Sequence, residues 1–419
     1  MNVLVILVVV IFIGTVVFAT WQGRLIRNLA NIYSRPTAEW PPDRPLPKAA
    51  VILSLRGHDP FLQRCIENLI RQDYPDFMIQ IVVDSDGDPA WEAVNEVRRK
   101  FDDVRLNART LSDRRPSCSL KNSSIIEAIR GLPADVEVVA LVDADAIVPS
   151  TWLRNLVAPL ADPEVGCTTG VRWFAPVERS FGSRLRCYWN LVAAPMIFAS
   201  STAWGGSMLI RRSILDSGLT DEWSLMFCED AHTINHLRQR AIKLQYVPEA
   251  TIVNQERISV MSCIRFVNRQ KLIFRLYHVD WLRLMVTILS AAILRIGHDV
   301  LIALCLVWRD FTTAAILAGI HPMILLVLRF EAARLDRAVH AMLQKSGQEI
   351  PKTLLPGPVG YLGVEFLFVT SMFTAVWTRS ATWRGIEYRI SGPTDITMLA
   401  YRPYEVAAIG SQPSPETVV

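Results

Sequence analysis

An uncharged apolar run at the start of the chain, Met1 to Ala19, is long enough to cross a lipid bilayer. The basic residues Arg24 and Arg27 follow this run, whereas a secretory signal carries its basic residues before the apolar segment. A cleaved signal is therefore the less favoured alternative, and we expect a retained membrane anchor. By the positive-inside bias, the chain after this anchor should face the cytoplasm.

Three further apolar windows lie near the C-terminus, at residues 281–308, 312–330 and 359–377. The first window is interrupted by Arg295, His298 and Asp299. If all three windows cross the membrane, the C-terminus lies outside. If the interrupted window instead lies in the membrane interface, the basic stretch 331–358 falls outside, against its charge. The sequence leaves these two arrangements open.

Between these apolar regions, residues 49–257 alternate short apolar runs with helical periods. This alternation predicts an α/β fold with a mostly parallel sheet. The predicted strands are Ala49–Leu55, Ile79–Asp84, Val104–Asn107, Val136–Val142 and Val165–Val171. The predicted helices are Pro60–Gln72, Pro89–Lys100, Lys121–Arg130 and Trp152–Leu160.

Composition excludes several classes of protein. The chain of 419 residues is 51% hydrophobic and only 20% charged, which is too apolar for a disordered protein. Its net charge of +4 is too small for a dedicated nucleic-acid binder, so no nucleic-acid partner is expected. The seven cysteines form no C-x-x-C pair, so neither a disulfide framework nor a cysteine zinc site is indicated.

We therefore predict a series of consecutive segments along the chain. They are an anchor (1–22), a proline-rich tether (23–48), an α/β domain (49–257), a basic interfacial segment (258–280), membrane or interfacial helices with a polar loop at about 331–358 (281–378), and a C-terminal motif with a tail (379–419). The composition of the tail beyond Ile409 predicts disorder.

Two predicted strands end in pairs of carboxylates. The second strand runs into Asp84 and Asp86, and the fourth runs into Asp143 and Asp145. Ligands of open parallel sheets bind at the carboxyl ends of the strands, so these acids should share one rim. Two carboxylates there suit a hard divalent cation, Mg²⁺ or Mn²⁺, bound together with a phosphate-bearing ligand. The second pair is the stronger candidate, whereas the first fits an ordinary turn equally well.

Two further segments carry charges that suit catalysis. Glu229 and Asp230 open a predicted helix, where carboxylates often only stabilise the helix dipole. Alternatively, one of them takes the proton from an acceptor hydroxyl. The segment 265–275 alternates basic and apolar residues, which is typical of an interfacial helix. One of its cations could also hold a departing diphosphate.

Taken in order along the chain, these residues resemble the family-2 inverting glycosyltransferases, most of all the ceramide glucosyltransferases and their bacterial relatives. The segments that carry the resemblance are Arg56 to Pro60, Asp84 to Pro89, Lys121-Asn122, Asp143 to Asp145, Trp204 to Met208, Glu229-Asp230 and Thr382 to Arg389. Each segment alone is a weak signal, but their common order is specific. The resemblance implies a GT-A fold, with a Rossmann-like, mostly parallel sheet, and N-terminal and C-terminal transmembrane or interfacial helices.

The resemblance also implies roles for individual residues. Those of the nucleotide-sugar site are Asp84, Asp86, Lys121, Asp143 and Asp145, of which the last two also bind the metal. We favour Asp84 over Asp86 as the contact to the base or ribose, because Asp84 directly ends the strand. The catalytic residues are Asp230 as base, Glu229 beside it, and Arg269 on the leaving group. The acceptor side comprises Trp204, Gly205, Gly206, Trp383 and Arg384.

One motif departs from the family pattern. Near Arg269 the family carries a Trp where this chain has Gln270, and Phe266 occupies its first polar position. Arg269 retains the cationic role, while the stacking surface of the Trp is lost. We expect this departure to alter the donor or the acceptor rather than the type of reaction.

The resemblance implies an integral, multi-pass membrane enzyme of a bacterial inner membrane, with its catalytic domain in the cytoplasm. It would move a hexose, most simply glucose from UDP-glucose, to the hydroxyl of a lipid such as ceramide, with Mg²⁺ or Mn²⁺ as cofactor. A polysaccharide synthase of the same fold is the first alternative. An inactive membrane protein that only binds nucleotide sugars is a less favoured second one.

Overall fold

The computed structural model describes residues 3–178, 180–348, 350–351 and 355–404. The predicted tail beyond Ile409 lies outside these residues. Within them, the chain forms strands β1 to β12: Ala49–Leu55, Phe77–Val83, Leu106–Thr110, Val138–Val142, Val165–Thr169, Arg172–Phe174, Ser207–Arg211, Lys243–Tyr246, Ile252–Asn254, Ser380–Trp383, Ile386–Ile390 and Ile396–Ala400. It also forms helices α1 to α13: Val3–Tyr33, Leu62–Ile70, Ala90–Phe101, Leu120–Arg130, Trp152–Val157, Phe181–Ala199, Arg212–Ile214, Thr220–Trp223, Asp230–Gln239, Val260–Tyr277, Trp281–Val307, Phe311–Lys345 and Pro358–Trp377. Short 3₁₀ or π segments occupy Ala158–Ala161, Leu215–Leu219 and Pro248–Ala250.

The central sheet has seven strands in the order β3-β2-β1-β4-β7-β5-β8. Its neighbouring strands are parallel except at β7, which runs antiparallel to β4 and β5. Apolar helix faces cover both sides of the sheet, so the central strands are apolar along their whole length instead of alternating. The predicted α/β fold with a mostly parallel sheet is confirmed.

The sequence locates the first strand better than the third. β1 coincides with its predicted range, Ala49–Leu55. β3 lies at Leu106–Thr110 rather than at Val104–Asn107, and the side chain of Val104 is 99% exposed. This prediction was wrong because it followed the apolar Val104, whereas pairing with β2 begins at Leu106.

The first helix extends beyond the predicted anchor. α1 continues to Tyr33, so residues 23–33, expected in the tether, are helical. The end of α1 packs on the α/β domain, where Leu29 is buried near Trp173 and the Tyr33 hydroxyl lies 2.9 Å from the Thr251 hydroxyl. The anchor is therefore fixed to the domain by direct packing.

The first half of the predicted polar loop at about 331–358 is helical. α12 continues through this stretch to Lys345, because the stretch has an apolar face of its own. Leu335 and Val339 on that face pack beside the end of α1, and Arg27 of α1 pairs with Glu331 of α12. The second half of α12 therefore lies against the α/β domain together with α1.

Four helices of the described residues are long and apolar enough to cross a membrane, namely α1, α11, α12 and α13. Of these, α13 begins and ends beside the same domain. At its start, Gly360 packs against Tyr188 of α6, and after its end, Arg275 of α10 donates to the carbonyl of Thr378 at 3.1 Å. Strands β10 to β12 follow, and the backbone N–H of Leu120 donates to the hydroxyl of Tyr388 on β11 at 3.1 Å.

This return of the chain restricts the membrane arrangement. Because β10 to β12 pack on the α/β domain, an even number of the helices α11 to α13 must cross any bilayer. The arrangement in which all three apolar windows cross is therefore wrong. In the other arrangement, the interrupted window lies in the interface, but that window is α11, which packs with α1 and α12. We expect α11 and α12 to cross, and α13 to lie against α6 and α10.

Cysteine labelling tests this arrangement. Arg309, in the turn between α11 and α12, and Thr394, in the turn between β11 and β12, are both exposed. In sealed vesicles, an impermeant maleimide should reach Arg309→Cys from one side and Thr394→Cys only from the other. Labelling of both variants from the same side would show instead that α13 crosses. The unsubstituted chain is the control for background labelling of the native cysteines.

Candidate active site

A polar cavity of about 180 Å³ lies at the carboxyl ends of β1 and β4, beneath the turn between β10 and β11. It brings together most of the site residues predicted from sequence, which come from distant parts of the chain. The predicted residues that line it are Lys121, Asp143, Asp145, Trp204, Glu229, Asp230, Arg269, Trp383 and Arg384. Further charged lining residues are Arg56, Asp59 and Arg172.

Lys121 joins two carboxylates, of which Glu229 is buried and Asp143 is half-buried. It lies in the first turn of α4, which is capped by the Ser119 hydroxyl accepting from the N–H of Asn122 at 3.1 Å. The Lys121 ammonium lies 2.9 Å from Asp143 Oδ1 and 2.8 Å from Glu229 Oε1. Burial opposes the charge of Lys121, but the two carboxylates outweigh it and raise the pKa of Lys121 well above its usual value. Lys121 therefore ties the end of β4 to the start of α9.

Asp143 has a second cationic partner that sequence reasoning missed. Arg172 Nη2 donates to Asp143 Oδ2 at 2.7 Å, and the Arg172 guanidinium lies 4.5 Å above the Trp204 ring. Burial alone would raise the pKa of Asp143, yet Lys121 and Arg172 hold it below the usual value. Arg172 stands on the short strand β6, and no motif around it indicates a function.

Of the two carboxylates Asp143 and Asp145, Asp145 is the one with room for a cation. Its Oδ2 accepts from the Asn254 amide at 2.9 Å, which orients the side chain. Both oxygens of Asp143 face cations, and the described residues contain no group of three or more His, Cys, Asp or Glu side chains arranged to hold a metal. Mg²⁺ and Mn²⁺ often bind through one or two carboxylates, water and substrate phosphate, so Asp145 with a diphosphate fits such an ion.

Glu229 and Asp230 lie in different surroundings although they are adjacent in sequence. Glu229 is fully buried, and this burial raises the pKa of its carboxyl despite the opposing effect of Lys121. Asp230 Oδ2 accepts from the N–H of Gly205 at 3.0 Å, and the Cys228 thiol lies 3.0 Å from its Oδ1. Both side chains line the polar cavity, where Glu229 is held by Lys121 and Asp230 accepts from Gly205.

Two glycines let the backbone before β7 approach the charged residues. A methyl group on Gly205 would overlap a Glu229 oxygen, and one on Gly206 would overlap an Asp143 oxygen and the Trp204 ring. Gly205 and Gly206 were predicted from sequence on the acceptor side. Their role here is to make room for carboxylates at the junction of β4 and α9.

Basic side chains surround the carboxylates. Burial, with the nearby Arg172 and Arg384, lowers the pKa of Arg269 to about 10. Arg384 lies in a left-handed turn (φ 48°), and its guanidinium is 3.5 Å from Asp59. No hydrogen bond or ion pair within the described chain engages the Arg269 guanidinium. A cationic cluster of this kind is suited to a diphosphate.

Asp84 and Asp86 do not line this cavity. Asp84 is buried at the end of β2, where it pairs with Arg56 and accepts from the Tyr401 hydroxyl at 3.3 Å. Asp86 is paired with the Thr110 hydroxyl on β3. A contact of Asp84 with the base or ribose of a nucleotide remains a prediction.

A second cavity, of about 260 Å³ and mainly apolar, meets the polar one. Its walls come from α1, α6, α10, α11 and α13, and include Trp21, Leu284 and Phe368. The residues that line both cavities are Arg172, Trp204, Asp230, Gln270 and Ile273. Asp230 therefore faces both cavities, whereas Glu229 lines only the polar one.

The sheet order and the acidic pocket at the strand ends are those expected of a glycosyltransferase of the GT-A class. The sequence profile of glycosyl transferase family 21 matches residues 4–396, which is most of the chain, and the protein belongs to this family. The resemblance to family-2-type enzymes inferred from sequence is thereby confirmed. Comparison with the sequences of curated proteins found no match.

Of two similar solved structures, one supports the fold. The mannosyltransferase PcManGT from Pyrobaculum calidifontis, solved with GDP-Man and Mn²⁺, is 19% identical, with a TM-score of 0.51 over 88% of this chain and 99% of its own. GalNAc-T7 with UDP, GalNAc and Mn²⁺ is 13% identical, with a TM-score of 0.40 over 56% of this chain and 50% of its own. The first likeness supports the GT-A fold over nearly the whole chain.

Substitution of Gly206 tests the packing around Asp143. Gly206→Ala should reduce sugar transfer about 100-fold, because displacing a charged group by about 1 Å has an effect of this size. Gly319→Ala is the control, since a methyl group there has open space around it in α12. Turnover by purified protein measures the effect. Equal activity of both variants would contradict the close packing of Gly206.

Removal of Lys121 should make stability depend on pH. In Lys121→Met the pKa of Glu229, already raised by burial, loses the cation that lowers it and rises further. A carboxyl whose folded-state pKa exceeds its unfolded value stabilises the fold only below that pKa, so stability falls as pH rises through it. We expect a loss of about 3 kcal/mol at pH 8 and a smaller loss at pH 5.

Thermal unfolding at the two pH values measures this difference. Lys100→Met is the control, because Lys100 pairs with Glu67 at the surface and its loss should matter little at either pH. A Lys121→Met variant that is destabilised equally at pH 5 and pH 8 would contradict the proposed coupling to Glu229.

Proposed function

We propose that the protein transfers a hexose from a nucleotide sugar, most simply glucose from UDP-glucose, to the hydroxyl of a membrane lipid. The observation that carries this proposal is the meeting of the polar and apolar cavities at Asp230. The polar cavity suits a charged donor, and the apolar cavity suits a hydrocarbon chain. A sugar and a lipid hydroxyl would then meet beside one carboxylate.

In the proposed reaction, Asp230 is the base. Its carboxylate accepts the proton of the acceptor hydroxyl, whose oxygen attacks the anomeric carbon as the bond to the nucleotide diphosphate breaks. This in-line displacement inverts the anomeric centre. Asp230 suits the role better than Glu229, because Glu229 is buried against Lys121 and does not face the apolar cavity. Glu229 would act by holding Lys121.

The departing diphosphate gains negative charge, which the cationic cluster would stabilise. Arg269 and Arg384 line the polar cavity. Their guanidinium groups are suited to bind the oxygens of the diphosphate by paired hydrogen bonds. Asp145, with Asp143 beside it, would hold Mg²⁺ or Mn²⁺, which supplies further charge neutralisation when bound. Lys121 and Arg172 keep Asp143 ionised for this purpose.

The departure at Gln270 falls at the junction of the two cavities. Gln270 lines both, next to Asp230 and Trp204. The side chain at this position would lie between the sugar and the acceptor hydroxyl. We therefore assign the choice of acceptor to this region, including the question of whether ceramide or another lipid is used.

The membrane arrangement supports a lipid acceptor. Trp21 of α1 and Leu284 of α11 line the apolar cavity, and both helices are candidates to span the bilayer. A lipid could enter between them with its chain in the membrane. By the positions of Arg24 and Arg27, we propose that the catalytic domain faces the cytoplasm.

The test uses protein purified in detergent, with Mn²⁺ or Mg²⁺, a panel of nucleotide sugars and total lipid of the host. Mass spectrometry should detect a lipid heavier by one hexose. Asp230→Asn and Asp145→Asn should each lower the rate at least about 100-fold, as loss of other preorganised charges does. Asp135→Asn is the control, because Asp135 is an exposed carboxylate paired with Lys48.

Other products would favour the alternatives. A sugar polymer in place of a modified lipid would support a polysaccharide synthase. Binding of the nucleotide sugar without turnover would support an inactive binding protein. Full activity of Asp230→Asn would contradict the assignment of the base.

A further inference from the structure

Lys271 of α10 is a buried cation in the wall of the apolar cavity. Lys271 is only 6% exposed, and no hydrogen bond or ion pair within the described chain engages its ammonium. The ammonium nitrogen lies over the ring of Phe368 on α13, 4.3 Å from the ring centroid. Burial lowers the pKa of Lys271 to about 7. A charge buried in this way is costly unless a partner compensates it.

Two other cations near these cavities have carboxylate partners. Arg172 pairs with Asp143, and Arg186 lies 3.2 Å from Glu256. Lys271 differs from both, since only an aromatic face compensates its charge, and this interaction is weaker than an ion pair with hydrogen bonds. Lys271 therefore has donors available to a ligand of the cavity.

The remaining charged groups of the apolar cavity lie on other elements. They are Arg172 on β6, Asp230 on α9, and Asp280 and Arg283 at the start of α11, with the neutral phenol of Tyr246 on β8. Asp230 accepts from Gly205, and Asp280 is paired with Arg238 at 3.4 Å. The cavity thus offers Lys271 no carboxylate that is free of other partners.

We propose that the Lys271 ammonium binds an oxyanion, a carboxylate or a phosphate, on the headgroup of the acceptor lipid. This inference rests on the proposed function, because it concerns the lipid in the apolar cavity. Lys271 would select an acceptor that carries a negative charge near its hydroxyl over a neutral one. Phe368 and the hydrocarbon around it would strengthen the interaction by excluding water.

The experiment measures binding without any sugar donor, by isothermal titration calorimetry of the full chain in a maltoside detergent. The probes are dodecanoate, dodecyl phosphate, dodecanol and inorganic phosphate. At pH 6.5, one or both of the lipid anions should bind about tenfold tighter than dodecanol, as a charge-assisted hydrogen bond would give. The two anions distinguish a carboxylate from a phosphate. Tight binding of inorganic phosphate alone would overturn the requirement for a lipid.

Variants assign the preference to Lys271. Lys271→Met should bind all three dodecyl compounds alike, while Lys271→Arg should retain the preference for anions. Arg283→Met removes another cation that lines the cavity, controls for general electrostatic attraction, and should also retain the preference for anions. The inference is overturned if the unsubstituted protein shows no preference, or if Lys271→Met keeps it.

A pH series provides a readout that does not depend on the folding of a variant. In the unsubstituted protein, the preference for anions should decline between pH 6.5 and pH 9, as the ammonium loses its proton. A preference unchanged at pH 9 would overturn the inference. Because no donor is present, a Lys271-dependent preference supports this site even if the transferase assay fails, so the two failures can be distinguished.

Discussion

The half-buried ammonium of Lys121, held between Asp143 and Glu229, is the interaction on which the rest of the site depends. Burial disfavours the charged forms of the two carboxylates, which lie after β4 and at the start of α9, and the cation between them offsets part of this cost. Arg172 completes the compensation on the side of Asp143. The result is a rigid link between the part of the site suited to a nucleotide diphosphate and the part that holds Asp230. The contacts of Lys121 and Arg172 therefore set both the positions of the site's side chains and the balance of their charges.

The sequence predicted the acidic half of this network but not all its partners. Asp143, Asp145 and Asp230 were found because a carboxylate directly after an apolar strand, or at the start of a helix, is a local pattern. Arg172 and Asn254 were not predicted, because their roles arise only when β6 pairs with β9 and brings distant segments together. The third strand was misplaced for a related reason, since its position is set by pairing with β2 and not by its own hydrophobicity.

The membrane helices show the same limit in another form. Hydropathy treats α11, α12 and α13 as similar segments, and charge interruptions pointed to α11 as the exceptional one. The structure makes α13 exceptional, because β10 to β12 must return to the domain and bring Trp383 and Arg384 to the polar cavity. The chemistry of the site thus constrains how many helices cross, which no reading of a single apolar window can reveal.

The proposed reaction would join a water-soluble donor to a membrane-soluble acceptor, so it would have to bring two immiscible compounds to one atom. In this chain the two cavities meet at Asp230, and each has a wall suited to one compound. The polar cavity balances its carboxylates with internal cations, so a diphosphate would add charge to a prepared cluster. In the apolar cavity, by contrast, the charge of Lys271 is not balanced, because the ammonium has no carboxylate partner within the described chain. A ligand that supplies the missing negative charge would therefore gain most from binding there.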